Sequence, residues 1–160
     1  MNDTNTANAY LRTKVMTASP EELRLLLLDG AVKFAHQALS GLEQTNHEMI
    51  YLGFSQCRDI VLELLNTINN EPAPEIAKSM SDLYTFMYGE LVKASIDKDA
   101  KKLKEVIGLL EYDRETWIMT MDQLAKEREQ GIAPTAQPAT ASAGAYANAQ
   151  QASQPISFQA

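Results

Sequence analysis

The sequence has very little of the residue types on which catalytic, metal-binding and disulfide chemistry depends. Among its 160 residues there are one cysteine and two histidines. The single cysteine, Cys57, excludes an internal disulfide and fits a reducing compartment. There is no phosphate-binding loop, no dinucleotide fingerprint and no nucleophile elbow. We therefore expect a non-enzymatic protein with no catalytic residue, no metal, no cofactor and no small-molecule substrate.

Long apolar runs and a concentrated basic surface are also missing. The longest apolar run, Leu25–Leu28, is too short to span a bilayer, and the opening MNDTNTANAY lacks the apolar segment of a signal peptide. A net charge of −7 argues against binding to a phosphate backbone. The one basic cluster is interrupted by acidic residues and indicates a solvated helix start (Lys98, Lys101, Lys102 and Lys104). We expect a cytoplasmic protein that neither inserts stably into a membrane nor binds nucleic acid.

The composition changes sharply after Gly131. Residues 1–131 carry all of the charged side chains and have room for one domain with a substantial core. Residues 132–160 contain no charge and consist mainly of Ala, Gln, Ser, Thr and Pro, with Ile156-Ser157-Phe158 as their only apolar cluster. Such a segment buries too little apolar surface to offset its ordering entropy. The sequence thus predicts a low-complexity, disordered tail over 132–160, whose role stays open.

Start and stop signals divide residues 1–131 into an arm and four helices. Residues 1–18 are mostly polar and predict a loosely held N-terminal arm. Ser19-Pro20-Glu21-Glu22 is a capping box with proline at the first helical position, and it predicts a helix over about 19–43. Further helices are predicted over about 46–70, 74–96 and 98–130, separated by the prolines at 72 and 74 and by a cap at Asp97 or Asp99.

Apolar residues recur on these segments at helical spacing. The last helix carries Leu103, Leu110, Trp117 and Leu124 at intervals of seven residues. The two before it carry comparable stripes (Ile50, Phe54, Cys57, Val61, Leu64, Leu65 and Ile68; Ile76, Met80, Leu83, Tyr84, Met87 and Leu91). Long amphipathic helices with short connections predict an all-α, antiparallel four-helix bundle. Cys57 is then a core residue and not a nucleophile.

Some apolar residues do not fit a bundle interior. On the helix predicted over 19–43, the apolar arc is wider than the ~100° that a surface helix needs. Neighbours on both sides explain most of this arc, and a partner groove explains the rest. Tyr51, Leu62 and Phe86 fall outside the inner stripes, and they become candidate partner-binding residues if they join into a patch. In the N-terminal arm, Tyr10, Leu11 and Val15 are the apolar residues that could anchor the arm to the bundle.

Several blocks of the sequence resemble the flagellin export chaperone family, FliS. They are Tyr10, Met16–Leu23, Leu28–Ala31, Leu64–Asn69, Leu83–Met87 with Leu91, Val106–Glu111 and Arg114–Trp117. The resemblance runs in order from about residue 7 to 125. Two positions depart from the family pattern: Ala7 stands where a larger apolar residue is usual, and Arg58 where glutamine is common.

The resemblance implies a cytoplasmic export chaperone. Such proteins bind the disordered C-terminal segment of flagellin, prevent its premature polymerisation and deliver it to the flagellar type III export gate. It also implies that the arm, with Tyr10, covers part of the binding surface and moves aside for flagellin. Candidate partner-binding residues are therefore Tyr10, Leu11, Val15, Tyr51, Leu62 and Phe86. The alternative is another four-helix interaction or assembly adaptor.

Overall fold

The computed structural model describes residues 2–131, and their side chains from Thr4 onward. All secondary-structure elements in that range are α-helices. The helices are α1 (Asn2–Thr17), α2 (Pro20–Gln44), α3 (His47–Asn66), α4 (Pro74–Asp97) and α5 (Ala100–Glu129). The last four form the predicted bundle, in which α2 and α4 each pack against both α3 and α5. The predicted tail over 132–160 lies outside the described residues.

Local capping fixes where the bundle helices begin. Ser19 accepts a hydrogen bond from the amide of Glu22, and the Glu22 carboxylate accepts one from the amide of Ser19. The side chains of Asn46 and Asp99 cap α3 and α5 in the same way, each accepting from the amide three residues later. α4 has no side-chain cap, but Pro74 occupies its first turn, where the missing N–H costs nothing.

Two predicted segments differ from the structure. The residues predicted as a loose arm form helix α1, and every described side chain from Thr4 to Thr17 is exposed. The helix predicted to end near residue 70 ends at Asn66. Its early end has a local cause, because the Asn69 side chain accepts a hydrogen bond from the amide of Glu71 and turns the chain ahead of Pro72 and Pro74.

The core follows the predicted stripes closely. Leu103, Leu110, Trp117 and Leu124 are all buried on α5, and Cys57 is fully buried on α3. The prediction was wrong for Ile76, which is 61% exposed on α4. The α2 and α3 backbones approach closely because small residues lie between them, chiefly Ala35, Ala38, Gly41 and Gly53. The wide apolar arc of α2 is explained by packing against both α3 and α5.

None of the described helices is long and apolar enough to cross a membrane.

Candidate interaction surface

A hydrogen bond between Tyr84 on α4 and Asp113 on α5 separates a closed part of the bundle from an open one. The Tyr84 hydroxyl donates to Asp113 Oδ2 at 2.5 Å. On one side of this bond, Lys102 on α5 approaches Glu90 on α4, with Nζ and Oε2 3.9 Å apart. From the first contact to the second, the residue number rises on α4 and falls on α5. The two helices are therefore antiparallel. On the other side of the bond lie the first half of α4 and the last half of α5.

Two surface depressions lie mainly in this open part. One has a volume of about 700 Å³ and runs along α5 from Tyr112 to Glu127. The other has a volume of about 410 Å³ and lies along α4 from Glu75 to Leu83. We call their apolar lining, together with Phe86 just across the Tyr84–Asp113 bond, the α4–α5 surface. Its members are Ile76, Met80, Leu83 and Phe86 on α4, and Tyr112, Met119 and Leu124 on α5.

The exposed members of this surface are large. Phe86 is 55% exposed, and Tyr112 and Met119 are each 72% exposed. Isolated exposed apolar side chains are ordinary, whereas several along two neighbouring helices make a candidate interaction site. The α4–α5 surface is therefore the best candidate for binding another polypeptide among residues 4–131.

A buried cation lies behind this surface. Arg24 of α2 is only 4% exposed, and its Nη2 donates to the Tyr84 hydroxyl at 2.5 Å. Its guanidinium carbon lies 5.1 Å from the centre of the Trp117 ring and 5.6 Å from that of Tyr84. Two further nitrogens, Nε and Nη1, have no hydrogen-bond partner among the described residues. The aromatic faces and the Tyr84–Asp113 pair compensate the charge in part.

The phenol of Tyr84 links Arg24 to Asp113 and stays protonated. Burial raises the pKa of Tyr84 far above its ordinary value, and the nearby Arg24 charge only partly opposes this effect. The hydroxyl can therefore accept from Arg24 and donate to Asp113 at the same time. This arrangement ties α2, α4 and α5 together at the inner edge of the α4–α5 surface.

The structure divides the sequence-predicted site residues into three groups. Phe86 lies one turn before Glu90, which faces α5, so Phe86 belongs to the α4–α5 surface. Tyr51 and Leu62 are exposed together on one side of α3, which packs against α2 and α4. Tyr10, Leu11 and Val15 are exposed on α1. The three groups lie on three different helices, α4, α3 and α1.

Sequence reasoning missed most of the α4–α5 surface. Ile76, Met80 and Leu83 were assigned to the inner stripe of their helix. Met80 and Leu83 are partly buried against the core, as predicted, whereas Ile76 is 61% exposed. Helical spacing shows which side of a helix is apolar but not where its neighbour ends. Tyr112 and Met119 are seven residues apart on one side of α5, a spacing that the sequence analysis did not use. Arg24 stands within an apolar run, and that position was the one available hint of its burial.

Two kinds of reactive site are absent among residues 4–131, a metal-binding cluster and an activated thiol. No three His, Cys, Asp or Glu side chains between residues 4 and 131 lie close enough to hold a metal ion. Burial raises the pKa of Cys57 to about 12, so the thiol is not poised as a nucleophile. His36 pairs with Glu111 at 2.8 Å on the surface and joins α2 to α5. A helical bundle with an exposed apolar surface belongs to the class of protein-binding bundles.

Comparison with known proteins gives the family. The family described as "Flagellar protein FliS" matches residues 3–124, and this chain belongs to it. The flagellar secretion chaperone FliS of Bacillus subtilis (strain 168) is 33% identical over 124 residues, which are 78% of this chain and 92% of that protein. That of Salmonella typhimurium is 33% identical over 112 residues, covering 69% and 83%. The Vibrio cholerae protein is 25% identical over 115 residues, covering 72% and 82%.

The family assigns the chain to the flagellar secretion chaperones, and it is therefore not an enzyme. The family match ends at residue 124, within α5, so the end of α5 and residues 132–160 lie beyond it.

Proposed function

We propose that this chain is a cytoplasmic export chaperone that binds the C-terminal segment of flagellin. In this role it prevents premature polymerisation and delivers flagellin to the flagellar type III export gate. The observation that carries the proposal is the α4–α5 surface, which exposes large apolar side chains in a member of a secretion chaperone family. An apolar surface of this kind suits a client that folds as it binds, since apolar burial offsets the ordering cost.

In this proposal α1 acts as a reversible lid on the client-binding surface. The described side chains of α1 are all exposed, so little apolar burial holds the helix where it lies. Tyr10, Leu11 and Val15 give it a few apolar anchors that can dock elsewhere. Docking through one or two such side chains contributes about 1–3 kcal/mol, which a tightly bound client can overcome. A lid of this strength shields the apolar surface while the chaperone is empty.

Two isoleucines on α4 provide a matched test of the binding surface. Ile76 lies in the α4–α5 surface and is 61% exposed, whereas Ile96 lies at the far end of the same helix and is 75% exposed. The Ile76→Ala and Ile96→Ala variants lose the same side chain from exposed positions of one helix. Binding of a fluorescently labelled C-terminal flagellin segment is measured by anisotropy for both.

We expect Ile76→Ala to weaken binding by about 1 kcal/mol or more and Ile96→Ala to bind like the wild type. Equal effects of the two variants would place the client elsewhere, and Tyr51 and Leu62 on α3 are then the next candidates. If the wild-type chain captures a different protein from its native cell, and flagellin is not enriched, the adaptor alternative holds instead.

A further inference from the structure

Polar contacts join α4 to the rest of the bundle at two residues. Within the described helices α2 to α5, Tyr84 and Glu90 are the α4 side chains that make a hydrogen bond or an ion pair with another helix. By contrast, four polar contacts join α5 to α2 (Arg114–Asp29, His36–Glu111, Trp117–Glu21 and Arg128–Glu21). Apolar packing is non-directional. The placement of α4 therefore depends on few directional contacts.

Of these two residues, Tyr84 is the one that borders the open part of the bundle. Glu90 pairs with Lys102 in the closed part. The Tyr84 hydroxyl accepts a hydrogen bond from Arg24 Nη2 on α2 and donates one to Asp113 Oδ2 on α5, each at 2.5 Å. Hydrogen bonds to charged groups are stronger than those between neutral groups. The first half of α4, which carries most of the α4 side chains of the α4–α5 surface, is thus held in place at Tyr84.

Arg24 is a costly partner for this hydroxyl. It is 4% exposed, and its Nε and Nη1 are buried without a hydrogen-bond partner among the described residues. The rings of Tyr84 and Trp117 offset the desolvation of the charge only in part. Without Arg24 the Tyr84 hydroxyl would still be satisfied, because it donates to Asp113. An apolar side chain of similar length would fill the position without burying a charge, so stability does not explain this arginine.

We propose that Arg24 is a positioning residue for client binding. Its guanidinium fixes the Tyr84 hydroxyl between α2 and α5, and so fixes the first half of α4 in the placement at which the α4–α5 surface accepts the client. Buried polar groups can specify one arrangement of a core at a cost in stability. The inference rests on the proposed function, because it concerns the same surface. Arg24 itself is buried, and its effect on the client passes through Tyr84.

The test uses variants of the full chain in which the buried contacts are replaced by apolar groups of similar size. They are Arg24→Met, Tyr84→Phe and the double variant Arg24→Met/Tyr84→Phe. The matched control is Arg114→Met, which removes a cation that joins α5 to α2 and leaves the contacts of α4 intact. The midpoint of urea unfolding and the dissociation constant for a labelled C-terminal flagellin segment are measured for each.

The stability measurements test the cost of the buried charge. We expect the midpoint of Arg24→Met to equal or exceed that of the wild type. Tyr84→Phe should be strongly destabilised, because it leaves the guanidinium with no hydrogen-bond partner. Adding Arg24→Met to Tyr84→Phe should then restore stability, a non-additive result that holds even if Tyr84→Phe alone does not fold. A midpoint of Arg24→Met clearly below that of the wild type overturns the inference.

The binding measurements test the positioning role. Arg24→Met should bind the flagellin segment about 2- to 30-fold more weakly than the wild type, the range for residues that act on a site without touching the ligand. The double variant should bind at least as weakly, and Arg114→Met should bind like the wild type. A merely structural residue would lose stability and affinity together, whereas here affinity falls while stability does not.

Wild-type affinity in Arg24→Met, or an equal loss of affinity in Arg114→Met, overturns this inference and leaves the proposed function standing. Absence of wild-type binding overturns the proposed function and the inference together.

Discussion

Gly53 of α3 lies directly against the backbone of Ala38 of α2. A Cβ atom at Gly53 would stand 2.4 Å from the Ala38 nitrogen and 2.7 Å from its Cα. A Cβ at Gly41 would likewise stand 2.7 Å from the Ile50 nitrogen. The two backbones can approach this closely only because these positions lack side chains. The α2–α3 pair therefore forms the tightly packed half of the bundle, opposite the open part between α4 and α5.

The Gly53→Ala substitution should destabilise the protein. The added methyl meets backbone atoms that can yield only if α2 and α3 move apart, and overpacking of this kind costs about 1–3 kcal/mol or more. Gly108→Ala on α5 is the matched control, because a Cβ there meets nothing within 4 Å. The control should be neutral or stabilise by up to ~1 kcal/mol, as alanine favours helix. Urea unfolding of both variants gives the comparison, and equal stabilities would contradict the close packing.

Trp117 should be the most costly single truncation on α5. Its ring is 6% exposed and covers Arg24, and its Nε1 donates to the carbonyl oxygen of Glu21 at 3.0 Å. The Trp117→Ala variant leaves a large cavity and should lose about 3–5 kcal/mol of unfolding free energy. Tyr112→Ala, at an exposed position of the same helix, should change stability little. A melting temperature of Trp117→Ala close to that of the wild type would refute the assigned core.

The thiol of Cys57 should be unreactive in the folded protein. Burial raises its pKa to about 12, so raising the pH from 7 to 9 generates almost no thiolate in the native state. The thiol pKa is higher in the folded state than in the unfolded one, so the stability from this group is fully present below the unfolded pKa and is lost progressively as the pH rises from there to about 12. Alkylation followed by mass spectrometry should therefore track global unfolding in urea. Rapid alkylation of the native protein at pH 8 would be inconsistent with this environment.

Removing residues 1–17 should leave the melting temperature nearly unchanged and raise flagellin affinity. The described side chains of α1 are exposed, so its loss removes little buried surface from the bundle. If α1 competes with the client, its removal raises affinity by up to its docking energy, about 1–3 kcal/mol. Melting and binding are measured on the same truncated protein. A lower melting temperature with unchanged or weaker binding would show that Tyr10 and Leu11 belong to the structural core instead.

Local signals predicted the fold well. Ser19, Asn46 and Asp99 cap the helices that follow them, and the heptad run through Trp117 is buried. Both features depend on residues close in sequence. Helix α1 was predicted as an arm because its Asn- and Thr-rich sequence has no broad apolar stripe. The described side chains of α1 are exposed, so this helix does not pack an apolar face against the bundle. An apolar stripe is the sequence signal by which helices of that packed kind are predicted.

The candidate surface was harder to predict because it depends on how neighbouring helices are placed. Ile76 and Leu91 belong to one stripe, yet Leu91 is fully buried and Ile76 is 61% exposed. The difference arises where α4 extends past the Tyr84–Asp113 contact. Phe86 could be identified from the sequence because it falls outside the apolar stripe of its own helix. The close approach of α2 and α3 at Gly53 could not be predicted either, because a glycine does not add to the apolar pattern from which helix contacts are predicted.

The most direct test of the account is calorimetric titration of the wild-type chain with the C-terminal segment of flagellin at several temperatures. Burial of an extended apolar surface by a segment that folds on binding should give a saturable complex with a strongly negative heat-capacity change. The same titration with the Ile76→Ala variant should show weaker binding. Absence of saturable binding by the wild-type chain, or binding with no heat-capacity change, would contradict the claim that this chain holds flagellin through an apolar surface.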